Sequence, residues 1–173
     1  MMLWQTYLDW FTQQYDLVIG DLQEPNHIEI GPFLDATDQR YKDAAPFGMD
    51  WAIIYPDGKY FRVKEAYYRE RRSTTGAGVR TNFSFHYGVA NTNCDPEGFP
   101  IIRHPDTPRP DLRIDLDARS GPHIHLPTED HIPQSRVDGY SISNADAFQF
   151  LRSVIKHRKS QIPLRDLLGI KVN

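Results

Sequence analysis

Between Arg113 and His131 the chain reads Arg-Ile-Asp-Leu-Asp-Ala-Arg-Ser-Gly-Pro-His-Ile-His-Leu-Pro-Thr-Glu-Asp-His. An alternating segment runs into Gly121-Pro122. His123, His125 and His131 then follow with Glu129 and Asp130, three imidazoles and two carboxylates within nine residues. A loop rarely buries and satisfies so many ionisable groups, so this density is costly for a pure scaffold. It suits a centre that moves protons, holds a metal or grips phosphate.

Acid–base chemistry is the first of these. Cleaving RNA without a metal needs a base for the 2′-hydroxyl, an acid for the leaving 5′-oxygen and a cation beside the phosphate. Histidine serves both proton roles near neutral pH. His123, His125, His131 and His86 are the candidate proton carriers, and Asp115 or Glu129 is placed to orient one or to act as base. Arg113, Arg119, Lys64, Arg69 and Arg80 are candidate phosphate contacts, with Tyr67, Tyr68 and Tyr87 as stacking surfaces for bases. On this reading no cofactor is required.

A divalent metal ion is the alternative. His123-Ile124-His125-Leu126-Pro127-Thr128-Glu129 has the form His-x-His-x-x-x-Glu. Alternate residues of an extended segment place two imidazoles on one side, and Glu129 completes a two-His-one-carboxylate set, with His131 as a further ligand. The form resembles the first cupin motif, but from Asp146 onward the chain reads as helix rather than as further barrel strands. A bland alternative also stands: the histidines cap turns around Pro122, Pro127 and Pro133. Cys94 is the single cysteine, so neither an intramolecular disulfide nor a thiolate-tetrad zinc site is available. Gly76-Ala77-Gly78 lacks the Lys-Ser/Thr that a phosphate-binding P-loop needs.

The elements that must position these residues are those of one folded domain. The chain has 173 residues, 39% hydrophobic and 25% charged, enough for a single core. No apolar run approaches the roughly 20 residues of a membrane span, and Met1–Phe11 carries no early base of a secretory signal, so a cytoplasmic protein is expected. The net charge of −3 hides an asymmetry. Residues 1–58 carry ten acids and two bases, residues 59–80 seven bases and two acids, and residues 152–173 six bases and one acid. Basic patches on an acidic chain fit contact with phosphates or an acidic partner.

Leu3, Trp4, Tyr7, Leu8 and Phe11 recur at helical spacing over residues 2–14. Residues 17–21 and 27–33 are short strand candidates, and residues 35–48 read as a loop. Residues 49–55, Pro56-Asp57-Gly58 and residues 59–70 form a strong hairpin signal. A turn over 73–78, a strand over 79–87, a long excursion over 91–110 and a strand over 111–117 follow. Ser143-Asn144-Ala145-Asp146 opens a helix whose apolar face carries Phe148, Leu151, Val154 and Ile155. Period-2 alternation sets Phe61, Val63, Phe83, Phe85, Tyr87, Leu112, Ile114 and Leu116 against Arg62, Lys64, Arg80, Asn82, Ser84, His86, Arg113, Asp115 and Asp117. The expected architecture is therefore α+β. An antiparallel meander of about five to six strands has an N-terminal and a C-terminal helix on its apolar face and a charged face left for an anionic substrate. Residues 1–48 would be a helix and extension, 49–158 the sheet and closing helix, and 159–173 a tail.

The order of these parts resembles the TumE-type toxins of bacterial toxin–antitoxin modules. The likeness rests on the Pro-Asp-Gly hairpin, Phe83-Ser84-Phe85-His86-Tyr87, Arg113-Ile114-Asp115, the segment Gly121 to His131 and a closing helix, over about residues 50–158. His-Ile-His stands where that family tends to have adjacent histidines and a lysine. The resemblance implies a toxin-like ribonuclease that inhibits growth by attack on RNA, with a neutralising antitoxin as partner; apart from the resemblance, homo-oligomers are left open. It carries over Arg113, Asp115, His123, His125 and His131 as the candidate site. A non-catalytic module that binds nucleic acid or protein through its basic patches remains a third class.

Overall fold

The computed structural model describes residues 2–19, 27–33, 44–70, 77–89 and 111–173, with side chains over 9–17, 50–67, 80–89 and 111–173. The order is β1 (Met2–Leu3), α1 (Trp4–Ile19), β2 (His27–Phe33), β3 (Ala44–Ile54), β4 (Lys59–Glu70), β5 (Ala77–Val89), β6 (Leu112–Asp117), β7 (Gly121–His125), β8 (Ile132–Pro133), β9 (Val137–Asp138), α2 (Ala147–Ser160), α3 (Leu164–Leu167) and β10 (Lys171–Val172). From β2 to β8 each strand pairs antiparallel with the next in sequence, and β1 adds to the start of β5. The α+β meander expected from the sequence is thus the observed fold.

Its turns follow local chemistry. Gly58 takes φ 78°, and the Asp57 carboxylate accepts the Lys59 N–H at 3.0 Å, which closes the β3–β4 hairpin. Gly121, at φ 69°, opens β7. Asp146 caps α2, its carboxylate accepting the Gln149 N–H at 2.7 Å.

Both helices cover one face of the sheet. Trp51, Phe61 and Phe85 are fully buried there and meet Phe148 and Phe150 of α2, with Trp51 stacked on Phe148 at 5.4 Å. Trp10 and Phe11 of α1 meet the same Phe148 ring edge-on at 5.3 and 5.4 Å. Burying each such ring contributes about 1.5–3 kcal/mol. No helix among the described residues is long and apolar enough to cross a membrane.

Several local expectations are corrected. Residues 17–19 extend α1 rather than start a strand, because a formed helix elongates at one hydrogen bond per residue and its first breaker is Gly20. Residues 44–48 belong to β3, since their backbone pairs with residues 66–70. His123 and His125 lie on a strand, not in a loop: Ile124 between them is fully buried, so alternation keeps the backbone extended. Residues 159–173 are not a tail, because β10 pairs with β9. The expected loop at 35–43, turn at 73–76 and excursion at 91–110 lie outside the described residues, as do the side chains of Tyr68 and Arg69.

Arg80 is the instructive correction. Ala66 pairs with Asn82 but Tyr67 pairs with Arg80, so Thr81 is an extra residue that bulges β5. A bulge flips the faces beyond it. Arg80 therefore turns to the helix-covered face. There it bonds buried Glu65 at 2.9 Å and the Ser143 carbonyl at 3.2 Å, its guanidinium lying over Phe83. Tyr87 is buried on that face too, its hydroxyl 3.4 Å from Arg158.

Candidate functional site

The face of the sheet that no described helix covers, hereafter the uncovered face, carries the clustered histidines, carboxylates and arginines. Register sets two rows across neighbouring strands: Arg62, His86, Arg113 and His125 in one, Lys64, Ser84, Asp115 and His123 in the other. Period-2 alternation alone puts these side chains together, because each strand is flanked by its sequence neighbour.

Asp115 is the hub. It is 2% exposed, and its Oδ2 lies 3.1 Å from His125 Nε2 and 3.4 Å from His123 Nε2. Arg113 Nε touches the same oxygen, in close charge contact but without an aligned hydrogen bond. Oδ1 accepts the Ser84 hydroxyl at 2.5 Å. Burial alone would raise this carboxyl. The hydrogen bonds from His123 and His125 and the charge of Arg113 outweigh it and hold Asp115 well below the usual carboxylate range.

Behind Asp115 runs a directed chain. Because Ser84 donates to Asp115, its oxygen accepts from His86 Nε2–H at 2.7 Å, which leaves His86 Nδ1 bare for the Tyr60 hydroxyl at 3.4 Å. Every bond in the chain is satisfied with His86 neutral. Burial, helped by Arg113, pushes the His86 imidazole down to about 3, so it stays neutral near neutral pH. His86 thus positions Ser84 and Asp115 instead of exchanging protons with solvent.

The three clustered rings differ. His123 is 3% exposed; its Nδ1 donates to the Gly121 carbonyl at 2.9 Å, and its Nε2 faces Asp115 and, at 3.9 Å, Asp117. A carbonyl only accepts, so Nδ1 carries a proton, and a second proton on Nε2 satisfies the carboxylates. The hydrogen bond to Asp115 raises the His123 imidazole against the effect of burial, which favours this imidazolium. His125 meets a carboxylate at each nitrogen, Asp115 at Nε2 and Asp130 at Nδ1. His131 is exposed and adopts a left-handed backbone, φ 57°, which lays its ring on His123 at 4.3 Å and 6.2 Å from His125. Such a conformation is uncommon outside glycine and clusters at functional sites.

Lys64, Arg113 and Arg119 line one cavity of about 410 Å³ with Asn82, Ser84 and Asp115. Of the phosphate contacts read from the sequence, these three come together beside the histidines, whereas Arg80 and Tyr87 lie on the opposite face. Glu129 is absent from the cluster, because both its carboxylate oxygens pair with Arg136. Among the described residues the metal-capable trio is therefore Asp115, His123 and His125, whose ligand atoms lie within 4.8 Å of one another. Sequence reasoning missed Ser84, Tyr60 and Asp130 as partners. For Ser84 the signal was available: it alternates with His86 and pairs with Asp115 once the meander is drawn.

No family model, curated protein or solved structure matches the chain.

Proposed function

We propose that this face is the active site of a metal-independent ribonuclease. The observation that carries the reading is the placement of two imidazoles, His123 and His125, on the Asp115 carboxylate with a third, His131, stacked on His123, beside a cavity lined by Lys64, Arg113 and Arg119. Proton carriers and phosphate-binding cations are the two ingredients of in-line cleavage by the 2′-hydroxyl.

His131 is exposed and the His125 side chain is 14% exposed, and their rings are edge-on neighbours with centroids 6.2 Å apart, so both border the place where one phosphoryl group would lie. His131 is the base that takes the 2′-hydroxyl proton as O2′ attacks phosphorus. His125, flanked by carboxylates, gives its proton to the departing O5′. The products are a 2′,3′-cyclic phosphate and a 5′-hydroxyl end. The buried His123 imidazolium and Arg113 lie beside the phosphorus centre as it gains charge. Lys64 and Arg119 hold adjacent phosphates. Asp115, fixed by Ser84 and His86, keeps His123 and His125 aimed.

The order of motifs resembling TumE-type toxins supports the same reading and adds a neutralising antitoxin as partner. The experiment is incubation of chelator-treated protein with a mixed RNA pool. Wild type is expected to cleave, and His125→Ala to fall by about 10²–10⁴-fold, the usual worth of a positioned acid or base. Cleavage that needs an added divalent ion would replace this reading with the metal-dependent one. RNA retention without cleavage would leave a binding module.

A further inference from the structure

We infer that Asp115, His123 and His125 bind a divalent transition ion of the zinc type, and that occupancy of this site stops cleavage. The binding half stands on geometry alone; the inhibitory half rests on the ribonuclease reading above.

Three donor atoms already converge. The Oδ2 to Nε2 separations are 3.1 and 3.4 Å, and all three atoms lie within 4.8 Å of each other. Zinc bonds of about 2.0–2.1 Å at tetrahedral angles put neighbouring ligands about 3.3 Å apart, which the two carboxylate–imidazole separations already match; an ion that displaces the Nε2 protons then has the two ring nitrogens, within 4.8 Å of each other, to draw together. Each donor is also aimed from behind. Gly121 carbonyl holds His123 Nδ1 at 2.9 Å, Asp130 holds His125 Nδ1, and Ser84 holds Asp115 Oδ1 at 2.5 Å. Metal-binding histidines have this arrangement, with the far ring nitrogen on a carbonyl or carboxylate. Two imidazoles and one carboxylate favour zinc, nickel, cobalt or copper over magnesium or calcium. Asp117 Oδ2, 3.9 Å from His123 Nε2, stands near a fourth corner.

Arg113 decides between activation and inhibition. Its Nε touches the oxygen an ion would take, yet makes no aligned hydrogen bond, and its side chain is 24% exposed. An incoming dication takes over the charge that Arg113 supplies to Asp115 and repels the guanidinium. The ion therefore removes Arg113 from its place at Asp115 and ties up, through Nε2, the His125 ring proposed to hand over the proton. Both losses stop turnover.

The test is calorimetric titration of the chelator-stripped full chain with zinc chloride, with magnesium chloride as control, alongside RNA cleavage. One zinc per chain is expected, no measurable magnesium binding, and affinity lowered at least about tenfold in His123→Ala and His125→Ala but unchanged in Glu129→Ala. Cobalt(II) loading of wild type checks coordination without relying on a variant: tetrahedral visible absorption bands support the site, and their absence overturns it. Stoichiometric zinc should abolish cleavage and a chelator restore it. Zinc binding equal in wild type and both histidine variants overturns the site. Cleavage undiminished by bound zinc, or dependent on it, overturns the inhibition. Zinc bound as described by a chain that cleaves no RNA under any condition supports the site and places the failure in the ribonuclease reading.

Discussion

The two faces of this sheet carry opposite solutions to the same problem of burying charge. Under the helices, Glu65 is 2% exposed and bonded to Arg80 within an aromatic core. There Arg80 is held on the helix side as well, by the Ser143 carbonyl and the Phe83 ring. On the uncovered face Asp115 is equally buried, yet it gathers Arg113, His123, His125 and Ser84. That is one arginine and two imidazoles, up to three positive charges, around one negative charge. A structural pair is matched; a site that handles protons and anions holds donors in excess. On the proposed reading, burial of charge alone does not mark the site in this chain, whereas surplus charge beside an open cavity does.

The widest separation between the faces comes from His131→Gly. Glycine accepts the left-handed backbone at this position without strain. Stability should stay within about 1 kcal/mol of wild type while cleavage falls by about 10²-fold or more. Urea melts and an RNA assay on the same preparation check it; a large loss of stability would make His131 structural. Phe148→Ala should do the reverse to the fold. It removes a fully buried ring that touches Trp10, Phe11 and Trp51, and should cost about 3–5 kcal/mol by chemical denaturation.

The arginines sharpen the comparison at smaller amplitude. Arg80→Ala should lower stability by about 2 kcal/mol, because buried Glu65 loses a partner, and leave the salt dependence of RNA binding unchanged. Arg119→Ala, exposed at the cavity, should leave stability within about 0.5 kcal/mol and reduce the salt slope by about 1. Exchange of these two outcomes would mean the faces have been assigned the wrong way round. The smallest effect belongs to the hairpin. Against burial, bonds from the Lys59 N–H and Arg158 lower the Asp57 carboxyl. The folded form then holds its proton less tightly than the unfolded chain, so the stabilisation is present above about pH 4 and lost as pH falls through the folded value. With Asp57 half exposed, Asp57→Asn should cost under about 1 kcal/mol at pH 7, a gap that closes toward pH 2 in urea melts.

Much of this was legible in the chain. Alternation in Phe61 to Lys64, Phe83 to His86 and Leu112 to Asp117 gave the strands and their faces, and sequential pairing brought Asp115 to His123. What escaped was whatever depends on a break in the period. One extra residue at Thr81 moved Arg80 to the other side, and nothing in Gly-Val-Arg-Thr-Asn announces a bulge. Glu129 carried a plausible ligand spacing, but Arg136, seven residues on, claims it. Asp130 was counted in the cluster, but nothing in the spacing singled it out as the partner of His125, five residues back.

The central claim is that the uncovered face drives attack by a 2′-hydroxyl. Its most direct test is mass spectrometry of the ends left on a short oligoribonucleotide by chelator-treated protein, with the matching oligodeoxyribonucleotide alongside. The account expects 2′,3′-cyclic phosphate and 5′-hydroxyl ends from the RNA and no cleavage of the DNA. Ends bearing 5′-phosphate, or cleavage of the DNA, would contradict it.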